Sequence, residues 1–117
     1  MDIVYLRDLE IECTIGIFEW ERRIKQTIVL DLEMATDIRR AAATDRIEDA
    51  LDYKAVSKRL IEFVGQSEFQ LVETLAERVA EIVLKEFRVP WVRLRVNKRH
   101  AIRQAADVGV VIERERK

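Results

Sequence analysis

The sequence predicts an α+β protein: an antiparallel four-stranded sheet with two helices packed on one face, in the order ββααββ. Apolar and polar residues alternate near both ends of the chain, the period of strands with one buried face. Between Val56 and Phe87 the apolar residues recur at three-and-four spacing, the period of helices. Only three Gly and one Pro interrupt the chain, so little of it is free to be loop.

The first strand is expected over Ile3 to Ile15, with Leu9, Ile11, Cys13 and Ile15 on one face and Asp8, Glu10, Glu12 and Thr14 on the other. Gly16 to Gln26 reads as a loop or long hairpin connection. The second strand, Thr27 to Ala35, sets Ile28, Leu30, Leu32 and Met34 against Asp31 and Glu33. Val56, Leu60, Phe63 and Val64 mark the first helix, with Gly65 at its end. Val72, Leu75, Ala76, Val79, Ala80, Val83 and Phe87 mark the second. Ser67, with Gln70 three residues on, fits a capping box for that helix, and Pro90 is expected to stop it. Val92, Leu94 and Val96 against Arg93 and Arg95 give the third strand; Val108, Val110 and Ile112 against Gly109, Val111 and Glu113 give the fourth.

Two helices cover one sheet face. The other carries Glu10, Glu12, Asp31, Glu33, Arg93 and Arg95, which is too polar for a dry layer and must meet water or a wet channel. An open sheet also leaves two unprotected edges, and joining sheets between subunits into a closed barrel removes them. A homo-oligomer is therefore expected.

With 117 residues, the chain is expected to be one domain, 1–117, that removes roughly two thirds of its unfolded surface from water. One Cys excludes a disulfide framework within the chain. The longest charge-free runs, such as Cys13 to Phe18, are too short for a signal-peptide core or a membrane span, so a soluble cytoplasmic protein without a membrane partner is expected. A net charge of −1 gives no global case for a nucleic-acid partner. A local patch of Arg93, Arg95, Lys98 and Arg99 lacks the interleaved aromatics that stack bases.

One Cys and one His make a Zn site on such ligands untenable, and Cys13 reads as a small buried hydrophobe. There is no Gly-rich phosphate loop and no G-x-S-x-G. Acid/base chemistry by Glu, Tyr and Lys remains. Glu73 falls in the first turn of the second helix, where a carboxylate is favoured structurally but could also accept two adjacent N–H donors of a flat heterocycle. Tyr53 follows Asp49-Ala50-Leu51-Asp52, Lys98 ends the third strand, and Glu21 sits beside Trp20. Taken singly, each is also an ordinary packing or surface residue.

Together, Thr14-Ile15-Gly16, Glu19-Trp20-Glu21, Asp49-Ala50-Leu51-Asp52-Tyr53, Leu71-Val72-Glu73 with Ala76-Glu77, and Lys98 with Ala101 resemble the dihydroneopterin aldolase family, over about Asp2 to Arg114. The resemblance implies the tunnelling fold, in which four subunits close a barrel with a wet lumen and two rings can stack, giving a tetramer or octamer with shared sites. It implies a pterin substrate, with Glu73 accepting from its adjacent N–H groups and the Val72 backbone completing recognition of that edge. Lys98 would be the catalytic acid/base, Glu21 would hold the side-chain hydroxyls, and Tyr53, from a neighbouring subunit, would help protonate the enol. The dihydropterin C6=N5 imine can accept the electrons, so no cofactor, metal or Schiff base is expected. In the aldolases the Lys is typically followed by Pro, whereas Arg99 and His100 follow Lys98. The run Lys98, His100, Ala101, Arg103 resembles the related dihydroneopterin triphosphate epimerase, in which Arg99, His100 and Arg103 would meet a triphosphate. Trp20-Glu21, Pro90-Trp91-Val92-Arg93 and Asp107-Val108-Gly109-Val110 resemble the aldolase branch. A third reading is a binding or assembly module that kept the fold.

Overall fold

A computed structural model describes every residue, Met1–Lys117. The long strands are β1 (Asp2–Cys13), β2 (Gln26–Thr36), β3 (Trp91–Arg99) and β4 (Asp107–Glu115), and the long helices are α3 (Tyr53–Gln66) and α4 (Val72–Glu86). Two short helices, α1 (Glu19–Arg22) and α2 (Arg39–Thr44), and a 3-10 turn at Ile47–Asp49 fall in the connections. The strands form one antiparallel sheet in the order β1-β2-β3-β4. Helix α3 packs over β1, and α4 over β3 and β4.

The core lies between sheet and helices. Ile11, Cys13, Leu30, Leu32, Leu94 and Val96 from the strands meet Val56, Leu60 and Val64 of α3 and Leu75, Val79 and Val83 of α4. These positions are the apolar stripes of the sequence, so their burial follows from the two periods.

One irregularity in β1 keeps its stripe in phase. Leu6 pairs with Leu32 and Leu9 with Leu30, so Arg7 and Asp8 together oppose the single residue Asp31. Asp8 has φ 57° and its N–H donates to Asp31 Oδ1 at 2.6 Å. This β-bulge places Val4 and Leu6 on the same face as Leu9, Ile11 and Cys13, although their sequence parity differs.

The helix boundaries bear out Gly65 at the end of α3 and correct the expectations for Ser67 and Pro90. Gly65 lies inside the last turn of α3, and Ser67 is the C-cap. The Ser67 hydroxyl donates to the Val64 carbonyl at 2.7 Å, so it satisfies the end of α3 and does not cap α4, whose N-cap is Leu71 with no side-chain bond. Ser67 is buried, and the carbonyl left open by the ending helix is the acceptor its hydroxyl meets. Pro90 does not stop α4 either: the helix ends at Glu86, and Arg88 at φ 54° turns the chain first. At the start of α3, the Asp52 side chain accepts from the Ala55 N–H at 3.1 Å.

The sheet face away from the helices is polar, as expected. Arg93–Glu33 and Arg99–Glu10, both at 3.3 Å, and Arg95–Asp107 at 3.8 Å are partly exposed ion pairs on it or at its border. Such screened pairs contribute about 0–1 kcal/mol each. β1 and β4 are the free edges. No helix is long and apolar enough to cross a membrane.

Candidate active site

A cavity of about 360 Å³ opens where β1 leaves the sheet, β3 ends and α4 begins, and Glu21, Val72, Glu73 and Lys98 all line it. Residues expected to act together are thus drawn from α1, the start of α4 and the end of β3. Ile15, Phe18, Trp20 and Leu71 supply much of the apolar wall.

Glu21 is the most constrained of the four. It is the third residue of α1, where its side chain can reach back to the open amide of the N-cap, and its Oε1 accepts from the Phe18 N–H at 3.2 Å. Its Oε2 accepts from Gln26 Nε2 at 3.1 Å and from Lys98 Nζ. The residue is only 4% exposed. Burial pushes the Glu21 carboxyl up, but hydrogen bonds from Lys98, Gln26 and the Phe18 amide, with the Lys98 charge, outweigh it and hold the group below its ordinary value.

Gly16 is required by this arrangement. Its φ is 129°, and a Cβ there would stand 2.2 Å from Glu21 Cδ. The Glu21 carboxylate therefore occupies the space a side chain at position 16 would fill.

Lys98 reaches the cavity because strand alternation puts it on the helix-facing side, after Val92, Leu94 and Val96. The same alternation sends Arg99 to the polar face, where it pairs with Glu10 at 3.3 Å, and Arg99 does not line the cavity. His100, at φ 59°, turns the chain back and does line it. Arg103 is exposed and lies outside the lining.

Glu73 is exposed in the first turn of α4, and no side chain caps the amides there. Tyr53 stands apart: it begins α3, is 55% exposed, and does not line this cavity. No cluster of His, Cys, Asp or Glu side chains gathers as a metal-binding group. Cys13 is fully buried, and burial raises its thiol pKa while a hydrogen bond with Ser67 and the nearby Lys25 and Lys98 charges oppose that.

Sequence reasoning does not single out Gln26, yet its amide joins Glu21 Oε2 to the Ile15 carbonyl, 2.8 Å away. A signal for it exists. Gln26 continues the row of Ile28 and Leu30, as Lys98 continues the row of Leu94 and Val96 on the adjoining strand, so each puts a polar group on an otherwise apolar face.

The cavity thus has two chemically distinct ends. Glu73 offers a carboxylate acceptor for adjacent N–H donors beside the uncapped Val72 backbone N–H, and the Lys98–Glu21 pair offers a proton donor and acceptor with both side chains largely buried.

Comparison with known proteins places this geometry in context. The family model described as FolB, dihydroneopterin aldolase, matches residues 4–113. The dihydroneopterin aldolase of Escherichia coli K12 is 45% identical over 97% of this chain and 93% of its own length. The crystal structure of E. coli dihydroneopterin aldolase in complex with neopterin superposes with a TM-score of 0.95, at 45% identity over 97% of this chain and 99% of that one. A candidate dihydroneopterin aldolase from Vibrio cholerae O1 biovar El Tor has a TM-score of 0.97 at 51% identity, over 99% and 98% of the two chains. The dihydroneopterin triphosphate 2′-epimerase of E. coli K12 is 30% identical over 97% of this chain and 95% of its own length.

Proposed function

The chain belongs to the dihydroneopterin aldolase family, and from that membership we propose how its cavity carries out the reaction. The protein is an aldolase of folate biosynthesis, converting 7,8-dihydroneopterin into 6-hydroxymethyl-7,8-dihydropterin and glycolaldehyde. The observation that carries the mechanism is the buried Lys98–Glu21 pair sharing a cavity with Val72 and Glu73.

In this reading Glu73 accepts from the pterin N3–H and the exocyclic amino group, and the Val72 backbone completes recognition of that edge. The trihydroxypropyl side chain then extends toward Lys98 and Glu21. Removal of the 2′-hydroxyl proton lets the C1′–C2′ bond break, glycolaldehyde leaves, and the bonding electrons pass into the ring's C6=N5 imine. Lys98 serves as the acid/base through the hydroxyl or a water, and Glu21 holds the side-chain hydroxyls and the Lys98 ammonium together. Proton delivery to C1′ of the resulting enol gives the hydroxymethyl product. The ring's own electron sink makes a Schiff base or metal unnecessary, and no cofactor enters.

Tyr53 lies away from its own chain's cavity, which supports a site shared between copies, with Tyr53 of a neighbour assisting the enol protonation. The free edges of β1 and β4 and the polar sheet face support closure of several copies into a barrel with a wet lumen, as a tetramer or two stacked rings. We assign the reaction to the cytoplasm. The lower identity to the epimerase and the pairing of Arg99 with Glu10 on the far face favour the unphosphorylated substrate, leaving C2′ epimerisation as a side reaction of the same bond cleavage.

Incubation with 7,8-dihydroneopterin should release glycolaldehyde and the hydroxymethyl product in equal amounts. A folded protein that releases neither, or turns over only the triphosphate, overturns the reading.

A further inference from the structure

Arg22 ends α1 directly after Glu21. Its guanidinium donates to the Gly16 carbonyl at 2.9 Å, to the Phe69 carbonyl at 3.1 Å and to the Glu68 carbonyl. The Gly16 N–H donates to the same Phe69 carbonyl at 3.3 Å. Gly16 belongs to the loop leading from β1 into α1, whereas Glu68 and Phe69 belong to the short link between α3 and α4. Arg22 therefore fastens two loops that are otherwise distant in sequence, using carbonyls alone as acceptors.

Those two loops carry the opposite ends of the cavity. The first leads to Glu21, which sits against Gly16 and holds Lys98. The second runs through Leu71 into Val72 and Glu73. We propose that Arg22 is a positioning residue that sets the spacing between the proton-transfer end and the recognition end of the cavity. This rests on the reading of those ends given above. A planar guanidinium with several N–H donors can span both loops at once, whereas a single ammonium or amide cannot reproduce that fork.

The consequence is specific to ligands that touch both ends. Pterin, which lacks the side chain, engages only the recognition end; neopterin reaches from Glu73 to Lys98. In Arg22→Gln, neopterin affinity should fall about tenfold and turnover of 7,8-dihydroneopterin about a hundredfold, the scale of an ångström-level misplacement. Pterin affinity should stay within about twofold, because one end alone does not sense the spacing. Arg22→Lys, which keeps the charge, should lie between Arg22→Gln and wild type, and it carries the same comparison if the glutamine variant does not fold. Loss of pterin and neopterin binding by one common factor, or wild-type turnover in the variants, overturns the proposal. If the unmodified protein cleaves dihydroneopterin and the variants match it, only the role of Arg22 fails; if the unmodified protein releases no glycolaldehyde, the mechanistic reading fails and this proposal with it.

Discussion

Lys98 and Glu21, 77 residues apart in the chain, form an ion pair whose side chains are only 13% and 6% exposed. Burying two charges is costly unless their remaining hydrogen-bonding capacity is met. Here Gln26 and the Phe18 amide meet it on the Glu21 side. The pair is thereby held in place at the wall of the cavity.

Replacement of Lys98 by Ala should lower turnover by about two orders of magnitude or more, the usual scale for a lost acid/base group, while pterin binding is retained. Borohydride added to the unmodified protein during turnover should trap no adduct with substrate. Near-normal cleavage by Lys98→Ala, or a trapped adduct on Lys98, would remove lysine acid/base catalysis from the mechanism.

Glu73→Gln keeps the shape of the side chain but turns one acceptor into a donor that faces the pterin N–H groups. Affinity for pterin should drop by about tenfold or more, consistent with about 1–3 kcal/mol for a buried donor left unpaired. Helix stability should change little by comparison. Calorimetry that finds unchanged pterin affinity would return Glu73 to the role of an ordinary helix-start acid.

The depressed Glu21 pKa has a signed consequence for stability. The carboxyl ionises more readily in the folded chain than at its ordinary value of 4.5, so its contribution is present above that pH and is lost as pH falls toward the folded value. Urea midpoints of wild type and Glu21→Gln, measured from neutral pH downward, should keep a constant difference until about pH 5 and then shift against the wild type as pH falls. A difference that is flat throughout, or that moves in favour of the wild type in acid, would contradict the pairing.

If Tyr53 serves the cavity of a neighbouring copy, two defective variants should repair each other. Lys98→Ala and Tyr53→Phe, each impaired alone, should regain up to about a quarter of full activity when mixed and allowed to exchange subunits, because random pairing restores that share of complete sites. No recovery despite demonstrated exchange, or sedimentation of an active monomer, would sink the shared site.

The sheet and the long helices are legible in the sequence because their apolar stripes are clean over many residues: Val72 to Val83 can hardly be read as anything but a helix face. The shorter pieces are not, since Glu19–Arg22 and Ile47–Asp49 are each too brief to show a period. Ser67 lies between two helices and can satisfy the end of one or the start of the other, and sequence spacing does not decide which. Glu21, Val72, Glu73 and Lys98 stand out only through the pattern of family motifs, and the fold then gathers them around one cavity. Arg22 leaves no trace in the sequence, because backbone carbonyls, its only acceptors, are present at every residue.

The bulge at Arg7 and Asp8 makes β1 one residue longer than its pairing with β2 requires. Excising either residue would leave one residue opposite Asp31 and restore plain alternation, with Val4, Leu6, Leu9, Ile11 and Cys13 all still facing the helices. Excising both would make Leu6 and Leu9 neighbours in the chain and set the two halves in opposite phases, turning Ile3 and Tyr5 inward and Val4 and Leu6 out while the more deeply buried Ile11 and Cys13 hold their places. An evolving lineage could therefore lose one residue here and keep the stripe, whereas losing two would loosen the far end of the sheet and leave the cavity end in place.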